Sequence, residues 1–308
     1  MQIALAFPGQ GSQTAGMMGP YESLPAVRRT FDQASAVLDQ DLWALVANGP
    51  AEELNQTVNT QPVMLTAGYA LYRAWIEAGG KTPLVVAGHS LGEYTALVAA
   101  GALSFRDALP LVRFRAQAMQ QAVPEGVGAI AAVLGLDDEA IRAVCAEAAQ
   151  DQVLEPANFN APGQVVIAGH REAVARGIEL ARARGAKRAV TLPMSAPSHC
   201  SLMGPAAGRL AQRLALTAIR APEVPVINNV DVSAATDVTA IRDSLVRQLS
   251  HSVRWVETVH AIAQRGATRI LECGPGGVLT ALNKRIAPGM EALAIKDADA
   301  LLQLATAT

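Results

Sequence analysis

The chain has 308 residues, 51% hydrophobic and 17% charged, with a formal net charge of -2. That length supports about two domains of roughly 150 residues each and a packed core, which excludes a globally disordered chain. The near-neutral charge speaks against nucleic acid as a partner, and no apolar run reaches the ~20 residues of a membrane span.

Residues 2–7 (QIALAF) read as a short buried strand running into the glycine loop Pro8-Gly9-Gln10-Gly11-Ser12-Gln13. Helical periodicity follows at about 22–38 and 60–79. A second apolar strand, 84–87, ends at Gly88-His89-Ser90-Leu91-Gly92, where helical pattern resumes, and a further helix covers about 104–122. The pattern then changes near Pro124-Glu125-Gly126. A strand at 127–134, a helix at 137–149, strands at 153–158 and 164–168, a helix at 171–184 and a strand at 187–192 follow. That order is βαββαβ, the ferredoxin-like arrangement. After Pro197 the larger pattern returns, with helices near 201–213, 238–250 and 255–265 and strands near 224–227, 268–272 and 292–295. The expected class is α/β, with a mostly parallel sheet in a core of residues 1–123 and 196–308 and an inserted unit of residues 124–195. Aromatics make up only 4%, so the core rests on Ala, Val, Leu and Ile, which suits helices packed on a buried parallel sheet.

Cys145, Cys200 and Cys273 are widely spaced and odd in number. They form neither a disulfide framework nor a metal-ligand pattern, and a reducing cytoplasm is the simplest compartment. The start of the chain lacks the basic segment and the apolar length of a signal peptide.

Gly88-His89-Ser90-Leu91-Gly92 matches G-x-S-x-G and lies between a strand and a helix. At so sharp a turn, side chains at 88 and 92 would collide with backbone, and the serine sits exposed at a helix N-terminus. The functional reading is a nucleophile; the plain one is a glycine-rich turn with a capping serine. A nucleophilic serine needs a base. Of His89, His170, His199, His251 and His260, only His199 lies in a loop at the domain junction, a usual place for a catalytic group. A buried structural histidine is the competing reading. No acid presents itself as a third partner, and a histidine this far from the chain end departs from the ordinary hydrolase order.

The loop at 8–13 lacks the third glycine of a dinucleotide fingerprint, since Thr14 stands there. It reads better as a backbone donor loop facing the serine elbow from a neighbouring strand. Arg115 is either an ordinary surface arginine or a guanidinium fork for a substrate carboxylate. Glu272-Cys273-Gly274-Pro275-Gly276-Gly277 is another strand–glycine–helix junction that could bind an anion, but it reads better as a structural turn, because no Lys, Ser or Thr stands at the phosphate-loop positions.

Taken together, FPGQGSQ at 7–13, GHSLGEY at 88–94, Arg115, NFNAPGQVVIAG at 158–169, PSHC at 197–200 and QLSHSVRW at 248–255 resemble the malonyl-CoA:acyl-carrier-protein transacylases of bacterial fatty-acid synthesis. The acyltransferase domains of polyketide synthases are wider kin. The likeness runs from about residue 2 to about residue 286. It implies an α/β-hydrolase-like core with an inserted ferredoxin-like subdomain. It implies Ser90 as nucleophile, His199 as base, the backbone N–H groups of Gln10 and Leu91 as an oxyanion hole, and Arg115 on the malonyl carboxylate. Gln248, placed with the substrate-binding residues, lies near the histidine in the family's pattern, where a backbone carbonyl orients the ring in place of an acid. Malonyl-CoA and acyl carrier protein are the implied partners, with no separate cofactor or metal, and a monomer is compatible with the sequence. Ser198 stands where many malonyl-selective polyketide relatives carry an aromatic.

Three other readings stand beside this one. They are an acyltransferase serving polyketide assembly or another extender unit, a serine hydrolase with water as acceptor, and a binding module with a degenerate elbow. Ser90, His199 and Arg115 occurring together favour the transferase. Lys187-Arg188 and Lys284-Arg285 are short basic pairs that could face an acidic carrier, although such pairs are usually just solvated surface.

Overall fold

The computed structural model describes residues 2–193 and 196–307. β1 (Ile3–Phe7) is buried along its whole length. Ile3, Leu5 and Phe7 pack into one core cluster, while Ala4 and Ala6 pack into another. A strand with both faces covered belongs in the middle of a parallel sheet. A 3₁₀ turn (Gly19–Tyr21) precedes α1 (Pro25–Leu38), which starts at its proline. Then come α2 (Leu42–Asn48), α3 (Ala51–Leu54) and α4 (Thr57–Glu77). β2 (Val85–Gly88) leads straight into α5 (Gly92–Ala99), and α6 (Phe105–Ala122) closes the first part of the chain.

A second layer follows: β3 (Gly128–Leu134), α7 (Asp138–Ala149), β4 (Leu154–Ala161), β5 (Gln164–His170), α8 (Arg171–Ala183) and β6 (Arg188–Thr191). The chain then returns through α9 (Gly204–Ala215), β7 (Val226–Ile227), α10 (Val238–Gln248) and α11 (Trp255–Gln264). β8 (Arg269–Glu272), α12 (Val278–Ile286), β9 (Glu291–Ala294) and α13 (Ala298–Thr306) complete it.

Among the described residues the strands form two sheets. One has the order β7-β2-β1-β8-β9 and every pairing in it is parallel. The other has the order β4-β5-β3-β6 and is antiparallel, with α7 and α8 packed on one face through Val133, Val144, Ile167 and Ile178. The mixed α/β class, the mostly parallel sheet and the βαββαβ order thus agree with the sequence. The expected boundary at 195/196 falls partly on residues 194 and 195, which lie outside the described residues.

Several local expectations need correction. Helices α2, α3 and α13 were not expected; the first two are too short for a periodic signal, and α13 lies in a tail without motifs. The helix expected over 201–213 divides into a 3₁₀ turn (Ser201–Met203) and α9, whose proline sits in its first turn. The strand expected over 224–227 shrinks to Val226–Ile227, because Pro225 has no amide to donate, although its carbonyl still accepts from Val86. β4 runs further than expected, to Ala161, with register shifts between Pro156 and Asn158 and between Phe159 and Ala161. Such bulges re-aim side chains, and Asn158 and Asn160 both reach the cleft described next.

β1 and β2 are neighbours, and from them the parallel sheet is extended on one side to β7 and on the other to β8 and β9. Clefts in open parallel sheets lie beyond the carboxyl ends of such strands. The loop after β1 and the elbow after β2 meet there.

Candidate active site

The elbow is fixed by its glycines. A Cβ on Gly88 would come within 1.9 Å of the Gly92 carbonyl group, and one on Gly92 within 2.0 Å of the Phe7 carbonyl oxygen. A Cβ on Gly9 would lie 2.4 Å from the His89 carbonyl oxygen, so the loop after β1 presses directly on the elbow. Ser90 itself is held at φ 52, a left-handed conformation that costs a non-glycine residue energy and is kept where the surroundings impose it.

Asn229 holds the strained turn. Its side chain accepts from the Ser90 N–H at 2.7 Å and donates to the Gly88 carbonyl at 2.7 Å. With the Ser90 amide occupied, the neighbouring Leu91 amide and the Gln10 amide have no acceptor among the described residues. Both residues line the cleft. The Gln10 side chain donates to Thr57 Oγ1 at 3.2 Å, which anchors the loop. Free backbone donors at a helix N-terminus are suited to an oxyanion.

His199 is 3% exposed. Its Nε2 lies 2.7 Å from Ser90 Oγ and its Nδ1 lies 2.8 Å from the Gln248 carbonyl oxygen. A carbonyl oxygen only accepts, so Nδ1 carries the hydrogen and Nε2 turns its lone pair to the serine hydroxyl. Burial, reinforced by the positive charge of Arg115, lowers the His199 pKa to about 3, so the ring is neutral and ready to accept a proton.

Arg115, on α6, is 1% exposed. Its Nη2 donates to Ser90 Oγ at 3.3 Å and to Gln248 Oε1 at 3.0 Å, while Nη1 donates to Gln61 Oε1 at 3.0 Å. The surface-arginine reading therefore fails. Arg113, two residues earlier, instead binds the Leu38 carbonyl and Gln40.

Gln248 is fully buried and does not reach the cleft, which corrects its placement among the substrate-binding residues. It is a positioning residue: its carbonyl holds His199, its side-chain oxygen holds Arg115, and its NH₂ group donates to the Ser90 carbonyl at 3.0 Å and to Glu93 at 2.9 Å. The fully buried position of the last residue of a helix, between two polar partners, is not visible in the sequence.

The other histidines do not pair with Ser90. His89 Nε2 lies 2.8 Å from Asn160 Oδ1. His170 accepts the Val153 N–H, and His251 lies just beyond α10, beside the Arg247 carbonyl. The glycine junction after β8 is structural, as expected. Glu272 accepts the Leu279 and Thr280 N–H groups, so the free amides at the start of α12 already have their acceptor. Of the basic pairs, Arg285 is tied to Gln164 and the Pro162 carbonyl. Among the described residues no group of three or more His, Cys, Asp or Glu is placed to hold a metal.

Gln61, Glu93 and Asn229 were not anticipated as site residues. Glu93 carried a signal, being the one acid in the otherwise uncharged helix sequence GEYTALVA. Gln61 and Asn229 carried none, because only the fold brings them to the elbow.

A serine at a strand-to-helix elbow, paired with a neutral histidine and faced by two free amides, is an arrangement suited to acyl transfer, to water or to another acceptor. The acyl transferase domain family matches residues 5–299. The chain is 56% identical over 301 residues to the malonyl CoA-acyl carrier protein transacylase of Escherichia coli strain K12, covering 97% of each. It superposes with a TM-score of 0.98 on the crystal structure of an acyl-carrier-protein S-malonyltransferase from Burkholderia pseudomallei, at 56% identity and covering 99% of this chain and 100% of that one. A malonyl-transacylase solved in complex with its type II polyketide synthase acyl-carrier protein gives a TM-score of 0.98 at 51% identity, with 100% of both chains covered. The chain belongs to the acyl transferase domain family and, within it, to the malonyl CoA-acyl carrier protein transacylases.

Proposed function

We propose that the chain moves a malonyl group from malonyl-CoA to the phosphopantetheine thiol of acyl carrier protein, for fatty-acid elongation, through a malonyl ester on Ser90. The observation that carries this reading is the buried guanidinium of Arg115 beside the serine, 3.3 Å from Oγ. A malonyl carboxylate entering a desolvated cleft needs a charged, forked partner, and Arg115 offers one at the reacting atom.

In the first half-reaction Ser90 Oγ attacks the thioester carbonyl while His199 Nε2 takes its proton. The amides of Gln10 and Leu91 receive the developing oxyanion. The carbon–sulfur bond then breaks, and His199 returns the proton to the departing CoA thiol. In the second half-reaction the carrier thiol gives its proton to His199, attacks the ester, and leaves Ser90 reprotonated. The two halves share one site, which makes the cycle ping-pong. Gln248 replaces the acid of a hydrolase triad with a backbone carbonyl. The imidazolium is thus oriented without a full countercharge, and a neutral resting histidine fits such an arrangement.

The family relationship supports an α/β-hydrolase-like reading of the core, residues 1–123 and 196–308, with residues 124–195 as a ferredoxin-like insertion. The chemistry proposed requires no cofactor beyond the two substrates. Three buried free cysteines and the absence, among the described residues, of a helix long and apolar enough to cross a membrane are compatible with a cytoplasmic monomer.

The test mixes the protein with malonyl-CoA and phosphopantetheinylated acyl carrier protein and follows the mass of the carrier. A malonylated carrier supports the reading. Free malonate released with no loaded carrier makes the protein a hydrolase.

A further inference from the structure

The hydrogen-bond partners of buried Arg115 are all neutral: Gln61, Ser90 and Gln248. A buried cation with only neutral partners calls for a compensating charge close by. Glu93, in the first turn of α5, stands on the other side of the Gln248 amide and is 1% exposed. Gln248 accepts from Arg115 at 3.0 Å and donates to Glu93 Oε2 at 2.9 Å. The Asn229 N–H donates to the same Glu93 oxygen at 2.8 Å. One side-chain amide therefore separates the cation from the carboxylate. An ionised carboxylate only accepts, so it turns the NH₂ group of Gln248 towards itself and the amide oxygen towards Arg115. The connection that presents Asn229 is held under strain. Val232, a β-branched residue, sits at φ 57, and Asp231 is bound to Arg247.

We propose that Glu93 is the buried counter-ion of Arg115 and, acting through the Gln248 amide, a positioning residue that sets how strongly the acyl site prefers a carboxylated acyl group. This rests on the malonyl reading above. A malonyl carboxylate on Arg115 adds a second negative charge to the same desolvated site. Ionised Glu93 opposes it and protonated Glu93 does not. An acetyl group brings no such charge.

Burial pushes Glu93 up to about 7, against the opposing pull of the Asn229 and Gln248 hydrogen bonds and of Arg115. The other charged neighbour is Asp231, on the connection from β7 to α10, which is itself paired with Arg247 of α10. Tyr94, next on α5, stays neutral, its hydroxyl pushed up to about 12 by burial. The remaining surroundings from α5, β7 and α10, including Leu97, Val226, Ile241 and Ser244, carry no charge. Glu93 is thus protonated below about pH 7 and ionised above it, and the preference for malonyl weakens as pH rises through that point.

The experiment measures the ratio of kcat/KM for malonyl-CoA and acetyl-CoA between about pH 6 and about pH 8.5, in the wild type and in Glu93→Gln. Glutamine retains an oxygen to accept from Asn229 and Gln248 and removes the charge. His199 stays neutral across this range, and titration of the CoA phosphate affects both donors and cancels in the ratio. The wild-type ratio should fall roughly three- to tenfold across this range, and the E93Q ratio should stay flat and exceed the wild-type value at the alkaline end. Equal changes for both donors in E93Q, or a pH-dependent ratio that survives in it, would overturn the proposal. The wild-type series needs no variant, and a flat wild-type ratio overturns it as well. Arg115→Ala is the separate control. If it loads malonyl and acetyl in the wild-type ratio, the malonyl reading itself fails.

Discussion

His199 Nε2 lies 2.7 Å from Ser90 Oγ, and both residues sit at positive φ, 63 and 52 respectively. Two strained residues from connections far apart in the chain are brought tip to tip. The His199 amide donates to the Leu249 carbonyl at 3.0 Å, and Asn229 clamps the Ser90 amide, so neither turn relaxes freely. Removing the ring by His199→Ala should slow Ser90 acylation by about 10²–10⁴-fold, read as single-turnover loading from malonyl-CoA. Near-normal loading would remove His199 from the mechanism.

The pH dependence follows from the same pair. Burial and Arg115 hold the His199 pKa down to about 3, so the ring is already neutral across roughly pH 5–8 and gains a proton only far below that range. Acetyl loading, which is free of the carboxylate effect, should therefore show no acid limb in the ordinary histidine range. A fall in kcat/KM centred near the unperturbed value of about 6.5 would contradict the neutral, desolvated ring.

In the proposed reaction Arg115 separates charge recognition from acyl chemistry. Arg115→Ala should reduce malonyl loading by about 10²-fold or more while reducing acetyl loading far less, because only malonyl leaves a carboxylate unpaired in the cleft. Lysine at this position should restore little, since a point charge cannot reproduce the fork that engages Gln61, Gln248 and Ser90 together. Competitive loading from mixed donors gives the answer directly, and equal losses for both acyl groups would refute the role.

The fully buried Glu272 makes a structural prediction away from the cleft. Its carboxylate accepts from Leu279 at 3.1 Å and Thr280 at 2.7 Å. Glu272→Ala strips the start of α12 of both acceptors and should lower unfolding stability by roughly 2–4 kcal/mol in urea titration. A change below about 0.5 kcal/mol would mean that these amides find other acceptors.

Much of the site was legible where the chemistry is local. The steric need at 88 and 92 announced the elbow, and a core built from Ala, Val, Leu and Ile pointed to a buried parallel sheet. The glycine loop after β1 could be placed against the elbow because consecutive strands of such sheets tend to be neighbours. What stayed hidden is non-local. Asn229 and Glu93 meet the elbow and one another only because β7 pairs with β2, and an asparagine after a two-residue strand looks like any turn residue. Arg115 could not be told from a surface arginine by spacing, since its burial depends on α4 and α10 supplying Gln61 and Gln248. The short helices α2 and α3 were missed because fewer than two turns leave almost no periodicity to read.

The central claim is that Ser90 carries the malonyl group as an ester. The most direct measurement is the intact mass of the protein after brief exposure to malonyl-CoA, followed by peptide mapping, with Ser90→Ala alongside. The account predicts one malonyl adduct, mapped to the peptide containing Ser90, absent from the variant and discharged by added phosphopantetheinylated carrier. An adduct on another residue, or carrier loading that persists in Ser90→Ala, would contradict it.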